Sequence, residues 1–288
     1  MKTDYKEGCN EDCKYKIGYL GPEGTFSQMA AVKYGDSLKR DYVLVPFAKI
    51  PAVIKAVDNG EIDEGVVPFE NSIEGTVNYT IDSLIFDVNL FIKSEIVIPI
   101  SHNLMTRPEC AGKKPKKIFS HPQSLAQCKK YLEEKYPDVE TIQVLSNSEA
   151  AKIVSQSNDD YFAISTQSAA DIYSLQIVES GIQDKSHNET RFFAITKQDT
   201  SNVEEGKTSV VFSTLHRPGE LYRALDILSI WDINMTKIES RPMKDHLGTY
   251  IFYVDIECEN YLDRKDALKM LERKTNFFKL LGTYNILK

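Results

Sequence analysis

The 288-residue chain lacks most of the patterns that narrow a function at sight. Its five cysteines, Cys9, Cys13, Cys110, Cys128 and Cys258, contain no Cys-x-x-Cys pair and no even framework of a short secreted domain, which predicts reduced thiols rather than a disulfide scaffold. Cys9 and Cys13 are spaced Cys-x-x-x-Cys in a polar stretch with no further His or Cys beside them, so no metal is expected there. The histidines (His102, His121, His187, His216 and His246) form no His-x-His or His-x-x-x-His pair, and neither a metal centre nor a catalytic triad is indicated. No Gly-x-Gly-x-x-Gly or phosphate-cradling Gly-Lys-Ser/Thr loop occurs, and no cofactor is expected. Nowhere do 18 apolar residues run together, and residues 2–16 hold no apolar signal core, so a soluble cytoplasmic protein is the expectation. Positive charge is scarce as well. With 35 Lys and Arg against 42 Asp and Glu, the net charge of -7 argues against nucleic acid or an anionic membrane as partner. A small anionic ligand would need local donors, because the field of the whole protein repels it weakly.

What is present is an ordinary globular composition, 42% hydrophobic and 27% charged, in a chain long enough for two domains. A polar tail is expected over 1–14. Strand-like runs at 15–20, 42–47 and 65–68 alternate with helical patterns from Thr25, at 50–57 and at 77–85, the sign of an α/β layer with parallel strands. The continuous β-branched run 90–100 reads as a strand crossing into a second lobe. There, strands are predicted at 117–119, 141–145 and 161–164, and helices at 123–136, 148–155 and 166–172. Residues 191–196 read as a strand returning to the first lobe. Two such lobes make a cleft, the usual place for a ligand in α/β folds. The polar stretch 198–207 is a linker. After it, strand 208–215, helix 220–230, strands 233–239 and 249–257, helix 262–272 and strand 277–284 spell βαββαβ, a ferredoxin-like layout.

Four turn-rich segments carry the chemistry: Gly-Pro-Glu-Gly-Thr-Phe-Ser at 21–27, Pro-Phe-Glu-Asn-Ser-Ile-Glu-Gly-Thr at 68–76, Ser-His-Pro-Gln-Ser-Leu-Ala-Gln at 120–127 and Asn-Glu-Thr-Arg-Phe at 188–192. Gly21 and Gly24 permit close backbone approach, and Thr25 and Ser27 sit at a helix start, where free N–H groups favour an anion. Asn71 and Ser72 offer side-chain donors, and Thr76 opens the next helix. Ser120 precedes a helix on which Gln123 and Gln127 share one face. Arg191 is the motif cation able to grip a carboxylate with two parallel hydrogen bonds. Any one of these turns alone is most often a helix cap. Their joint occurrence, in order and at spacings that fit one cleft, is what singles them out.

Together the four segments resemble the motif set of prephenate dehydratase, over about 17–193. The resemblance implies a two-lobed, periplasmic-binding-protein-like α/β catalytic domain (15–197; lobe one 15–95 and 181–197, lobe two 96–180). Its reaction is the decarboxylating dehydration of prephenate to phenylpyruvate, a carbon–oxygen lyase step of phenylalanine biosynthesis. It also implies that Thr190 is the catalytic hydroxyl, a positioned donor to the departing oxygen, with Thr25, Asn71, Ser72, Thr76, Ser120, Gln127, Arg191 and Phe192 around the substrate. Glu70 is expected to orient a neighbour rather than face a dianion, and His121 to be structural, with proton transfer as its alternative role. The C-terminal part, 208–288, resembles an amino-acid-sensing ACT domain. On that resemblance Gly219, Leu221, Glu239, Ser240, Arg241 and Pro242 bind the effector L-phenylalanine, in a homodimer or homotetramer. Glu220 departs from the family's Gly-Ala-Leu, which puts the strength of inhibition in question. Two other readings stay open: an arogenate dehydratase, for which Glu70 or Glu74 would supply the carboxylate facing the substrate ammonium, and a non-catalytic amino-acid-binding protein.

Overall fold

The structure, a computed structural model, describes residues 14–243 and 250–287. Apart from Lys14 the predicted tail, with Cys9 and Cys13, lies outside the described residues, as does His246. Lobe one is built on β1 (Tyr15–Leu20), which pairs in parallel with β2 (Tyr42–Phe47) on one side and β3 (Glu64–Asn71) on the other. A two-residue strand, β4 (Gly75–Thr76), folds back on β3. Two helices follow their strands. Thr25 caps α1 (Phe26–Ser37), its Oγ1 accepting from Gln28 N at 3.3 Å, and α2 (Ile50–Asn59) buries the stripe Val53, Ile54, Ala56 and Val57. The helix predicted over 77–85 is shorter, α3 (Asn78–Asp82), and continues as a wider turn over Ser83–Asp87.

The crossing strand is β5 (Phe91–Pro99), and the whole of it belongs to the sheet of lobe one. Lobe two has a five-stranded sheet: β6 (Asn103–Thr106), β7 (Lys117–Ser120), β8 (Glu140–Gln143), β9 (Tyr161–Ser165) and β10 (Gln176–Glu179), in the order β10-β6-β9-β7-β8. The helix predicted over 123–136 is two helices, α4 (Pro122–Gln127) and α5 (Lys129–Lys135), interrupted at Cys128. The cause is tertiary. The Asp184 carboxylate accepts from Lys130 N (3.2 Å) and Tyr131 N (3.5 Å), and so caps a new helix start. Helices α6 (Asn147–Gln156) and α7 (Gln167–Ile172) cover the sheet and begin at Ser146 and Thr166, whose hydroxyls cap them. The chain returns to lobe one as β11 (Glu189–Thr196), antiparallel to both β3 and β5.

Beyond it, β12 (Lys207–Ser213), α8 (Glu220–Ile230), β13 (Asn234–Pro242), β14 (Tyr250–Glu257), α9 (Tyr261–Lys274) and β15 (Phe277–Leu287) form an antiparallel sheet in the order β13-β14-β12-β15. That is the ferredoxin-like arrangement, with α8 and α9 packed on one face. Its other face meets lobe one: Val211, Ile251, Tyr253, Leu281 and Tyr284 share a core with Phe69, Ile92 and Phe193. The end of β15 pairs in parallel with β5, so the two sheets are one ten-stranded sheet. Gly282 permits that approach; at φ 141° a Cβ there would stand 2.4 Å from Ile92 O.

Candidate active site

A cleft of about 1500 Å³ opens between the lobes. Its walls are the turns that start helices: Thr25, Phe26 and Ser27 at α1, His121 to Ser124 at α4, Ser146 and Asn147 at α6, and Thr166 at α7. The lobes meet along one rim. Thr166 Oγ1 donates to Gly24 O at 2.6 Å, and Ser148 Oγ donates to Glu23 O. Gly24 sits at φ 80°, and a Cβ there would lie 2.8 Å from Ser148 Oγ and 3.0 Å from Ala169 Cα, so a larger residue would push the lobes apart.

The floor is the β3·β11 pair. Thr190 lies opposite Asn71, both almost fully buried and both lining the cleft. Asn71 has a fixed orientation, because its Oδ1 accepts from Ile73 N (3.0 Å) and Glu74 N (3.1 Å). Its amide must then donate, and it does so to Thr190 Oγ1 (2.9 Å) and Asn188 Oδ1 (2.8 Å). Asn188 is thereby oriented too, and its Nδ2 donates to Gln127 Oε1 (3.1 Å). The same oxygen lies 2.9 Å from His102 Nε2, which must carry the proton. Burial, opposed by the bond to Gln127, pushes the His102 pKa below its ordinary 6.5, so the ring is neutral near pH 7. A chain of polarity thus runs from two backbone amides through Asn71 to Thr190, and through Asn188 and Gln127 to His102. Among the described residues it leaves the Thr190 hydroxyl proton and the Gln127 amide uncommitted.

The expected site residues divide. Thr25, Asn71, Thr76, Gln127, Thr190 and Phe192 line the cleft. Ser72 stands beside it, donating to Asn188 Oδ1 (3.3 Å) and accepting from Glu189 N (3.0 Å), and so fastens the Asn-Glu-Thr turn. Ser120 is fully buried and donates to Ile164 O (2.8 Å) and Asn147 Oδ1 (3.1 Å). It holds Asn147, a cleft residue absent from the expected set, instead of facing a ligand. Arg191 points the other way altogether, as alternation along a strand requires of the residue after Thr190. Its Nη1 bonds Asp255 Oδ2 at 2.7 Å and Glu95 Oε2 at 3.3 Å, and Glu70 lies 3.1 Å from Nη2, an ion contact without hydrogen-bond geometry. Burial opposes its charge, but Asp255 and Glu95 outweigh that and raise its pKa further. Arg191 therefore lies behind the cleft, its charge set among Asp255, Glu95 and Glu70, and does not line the space a substrate carboxylate would occupy. Glu70 shares the rear face, paired with Lys237.

His121 caps α4, its Nδ1 accepting from Gln123 N at 3.3 Å. Among the described lining residues the cation is Lys152, and the carboxylates are Glu23, Glu74 and Glu149. Glu149 is tied back to Leu145 N at 2.9 Å, while its own N–H donates to the capping Ser146 Oγ at 3.0 Å. His102 and Asn188 were not expected in the site. Asn188 could have been found as the first residue of the Asn-Glu-Thr-Arg-Phe segment, whereas His102 carries no local signal.

In the C-terminal unit the expected effector residues also divide by strand alternation. Glu239 and Arg241 turn toward lobe one: Glu239 Oε2 accepts from Thr76 Oγ1 (2.5 Å), and Arg241 Nη2 lies 2.6 Å from Asp82. Thr76, Arg241 and Lys237 hold the Glu239 carboxyl below its usual range against the effect of burial. Ser240 and Pro242 face outward. Gly219, at φ 83°, precedes α8, where Leu221 packs on the core under the helices. Glu220 pairs with Arg223 at 3.0 Å. Among the described residues no helix is long and apolar enough to cross a membrane.

Known proteins share this architecture. A protein of Methanocaldococcus jannaschii named prephenate dehydratase is 40% identical over 272 residues, 93% of this chain and 97% of its own. A bifunctional chorismate mutase/prephenate dehydratase of Aquifex aeolicus is 39% identical over 94% of this chain and 74% of its own. A crystal structure of prephenate dehydratase in complex with L-Phe from Arthrobacter aurescens superposes with a TM-score of 0.82 at 28% identity, covering 94% and 90% of the two chains. The prephenate dehydratase family model matches residues 17–200, which include the cleft floor and all four turn-rich segments. By that match and these identities the chain belongs to the prephenate dehydratase family.

Proposed function

We propose that the cleft converts prephenate to phenylpyruvate, with Thr190 as the hydroxyl that eases out the leaving oxygen. The observation that carries this is the bond from Asn71 to Thr190 Oγ1, which occupies the hydroxyl as an acceptor and leaves its proton to be given. In the reaction the bond to the ring carboxylate breaks, carbon dioxide departs, and the electron pair moves into the ring. The ring becomes aromatic as the C–O bond to the hydroxyl breaks. The departing oxygen takes a proton from Thr190 Oγ1, which regains one from solvent, and water leaves. A threonine hydroxyl does not titrate near neutrality, so its contribution is a placed donor, an effect of about 10²–10⁴-fold for assistance of this kind.

The substrate is a dianion, and neutral donors suit it. The N-termini of α1 and α6 offer backbone N–H groups at Thr25 to Ser27 and at Asn147, and Gln127 offers a free amide. A lysine clamped on the carboxylate to be lost would stabilise the ground state and hinder its departure, so the scarcity of lining cations favours the reaction. Phe192 packs Thr190 in place. Glu70 is committed to Arg191 and Lys237 and is unavailable to an arogenate ammonium, which leaves Glu74, in the cleft lining, as the carboxylate that would serve arogenate.

L-phenylalanine is the effector on this reading, bound at Gly219, Leu221, Glu239, Ser240, Arg241 and Pro242 of an ACT domain at 208–288. The Arthrobacter relative at 28% identity is in complex with L-Phe, and β13, which carries four of these residues, forms one edge of the sheet, where a second copy could pair to give a homodimer. Ultraviolet detection of phenylpyruvate from prephenate, with and without L-phenylalanine, tests both parts. Turnover that falls as phenylalanine is added is the expected result. A protein that leaves prephenate unchanged, or that prefers arogenate by kcat/KM, overturns the first part, and turnover indifferent to phenylalanine overturns the second.

A further inference from the structure

Strand β3 changes faces in its last three residues. Val67 and Phe69 face the core shared with the C-terminal sheet, and Val66 faces the opposite core. Simple alternation would send Asn71 to the side of Val67 and Phe69, away from the cleft. The pairing with β11 shows why it does not. Thr190 pairs with Asn71, Arg191 with Glu70 and Phe192 with Pro68, so Phe69 has no partner: it is a one-residue bulge. Past the bulge the parity inverts, Asn71 reaches the cleft, and Glu70 turns to the rear.

One side chain spans both residues at the inversion. The Arg191 guanidinium lies 4.8 Å over the Phe69 ring and 3.1 Å from Glu70. It is anchored in turn from the C-terminal sheet, by Asp255 at 2.7 Å. Asp255 is fully buried, and its other oxygen accepts from Ser209 Oγ at 2.6 Å and from the Tyr253 hydroxyl, so the carboxylate cannot follow Arg191 if the strands shift.

We propose that Asp255 is a positioning residue for the reaction in the cleft: it holds Arg191 against the Phe69 bulge, and the bulge holds Asn71 against Thr190. This rests on the reading of Thr190 as the reacting hydroxyl. It makes the C-terminal sheet part of the machinery that aims that hydroxyl. It also gives any ligand that shifts the sheet a mechanical route to turnover. A merely structural Asp255 would affect stability alone, whereas a positioning residue acts on the transition state.

The test compares Asp255→Asn, Arg191→Met and the double variant, in the full chain, by steady-state kinetics on prephenate at a temperature where each is folded. Misplacement of a donor by about 1 Å costs about 10²-fold, so Asp255→Asn is expected to lower kcat about 10- to 100-fold with KM little changed. The double variant should match Arg191→Met alone, because Asp255 acts through Arg191. Folded variants with wild-type kcat, or losses that multiply in the double variant, overturn the proposal. Should Asp255→Asn not fold, Tyr253→Phe removes one donor from the same carboxylate; a several-fold loss of kcat supports the proposal, and unchanged kcat refutes it. Crystal structures of wild type and Asp255→Asn, or of Tyr253→Phe in its place, read the device without turnover. Loss of the Asn71–Thr190 hydrogen bond in the variant is expected, and its retention refutes the proposal. A wild type inactive on prephenate would sink the function proposed above, while this structural comparison would still decide the present inference.

Discussion

The two faces of the β3·β11 pair are built from opposite materials. The cleft face carries Asn71, Thr190 and, beyond them, Asn188 and Gln127, all neutral and joined by hydrogen bonds. The rear face carries Glu70, Arg191, Glu95, Lys207, Lys237 and Asp255, all charged and joined by ion pairs. The division follows from what each face must do. Charges buried against another sheet hold strands in place, since removing one partner strands the other in a poor solvent. The same charges in the cleft would either repel a dianion or bind the carboxylate that must leave. Hydroxyls and amides, by contrast, can be satisfied within the protein and still offer one more donor to a ligand.

Four measurements bear on this division, from the largest effect to the smallest. Thr190→Ala is expected to cost kcat about 10²–10⁴-fold with KM nearly unchanged, read by initial rates. If KM rises while kcat holds, the cleft face binds rather than reacts. On the rear face, Lys207→Met leaves the buried Glu95 with Arg191 as its remaining cation. A loss of stability near the lower end of about 3–5 kcal/mol is expected in urea titration, with kcat kept within a few-fold. A variant as stable as wild type would mean that these charges are not holding the sheets.

Asn188→Leu should remove the acceptor of one Asn71 amide N–H and leave Gln127 Oε1 with His102 Nε2 alone. Leaving a buried polar group unpaired costs about 1–3 kcal/mol, and here the loss should show in kcat as well as in thermal stability. Intact kcat would detach Thr190 from the chain of polarity. The smallest effect concerns pH. His102 has a folded-state pKa below its unfolded 6.5, so its contribution to stability is complete above 6.5 and is lost as pH falls through the folded value. Urea midpoints at about pH 7 and about pH 5 should differ less in His102→Gln than in wild type. An identical pH dependence in both proteins would show that the ring is not held neutral.

Much of this was legible in the chain. Helix α8 occupies the predicted residues 220–230, because its apolar period and the preceding Pro-Gly are local signals. The ferredoxin-like order of the last 80 or so residues followed from the same kind of reading. Thr25 was chosen at a helix start, Asn71 in a turn, Gln127 on a helix face and Thr190 by resemblance, and all four line the cleft. Arg191 was misplaced although the chain held the correction. Adjacent residues of one strand face opposite sides, so Thr190 and Arg191 could not both face a substrate. Ser120 erred differently: a hydroxyl before a helix looks the same whether it meets a ligand or, as here, a buried carbonyl and Asn147.

What no local pattern could supply is the side on which Asn71 lies. Its type, its turn and its place at the end of a strand are written in neighbouring residues, as are the helix starts that ring the cleft. Its direction depends on the bulge at Phe69, and that bulge exists only in the register with β11, more than a hundred residues further along. Short-range order comes from backbone preferences and apolar period. The face a side chain presents comes from pairing, and a one-residue slip in pairing reverses it.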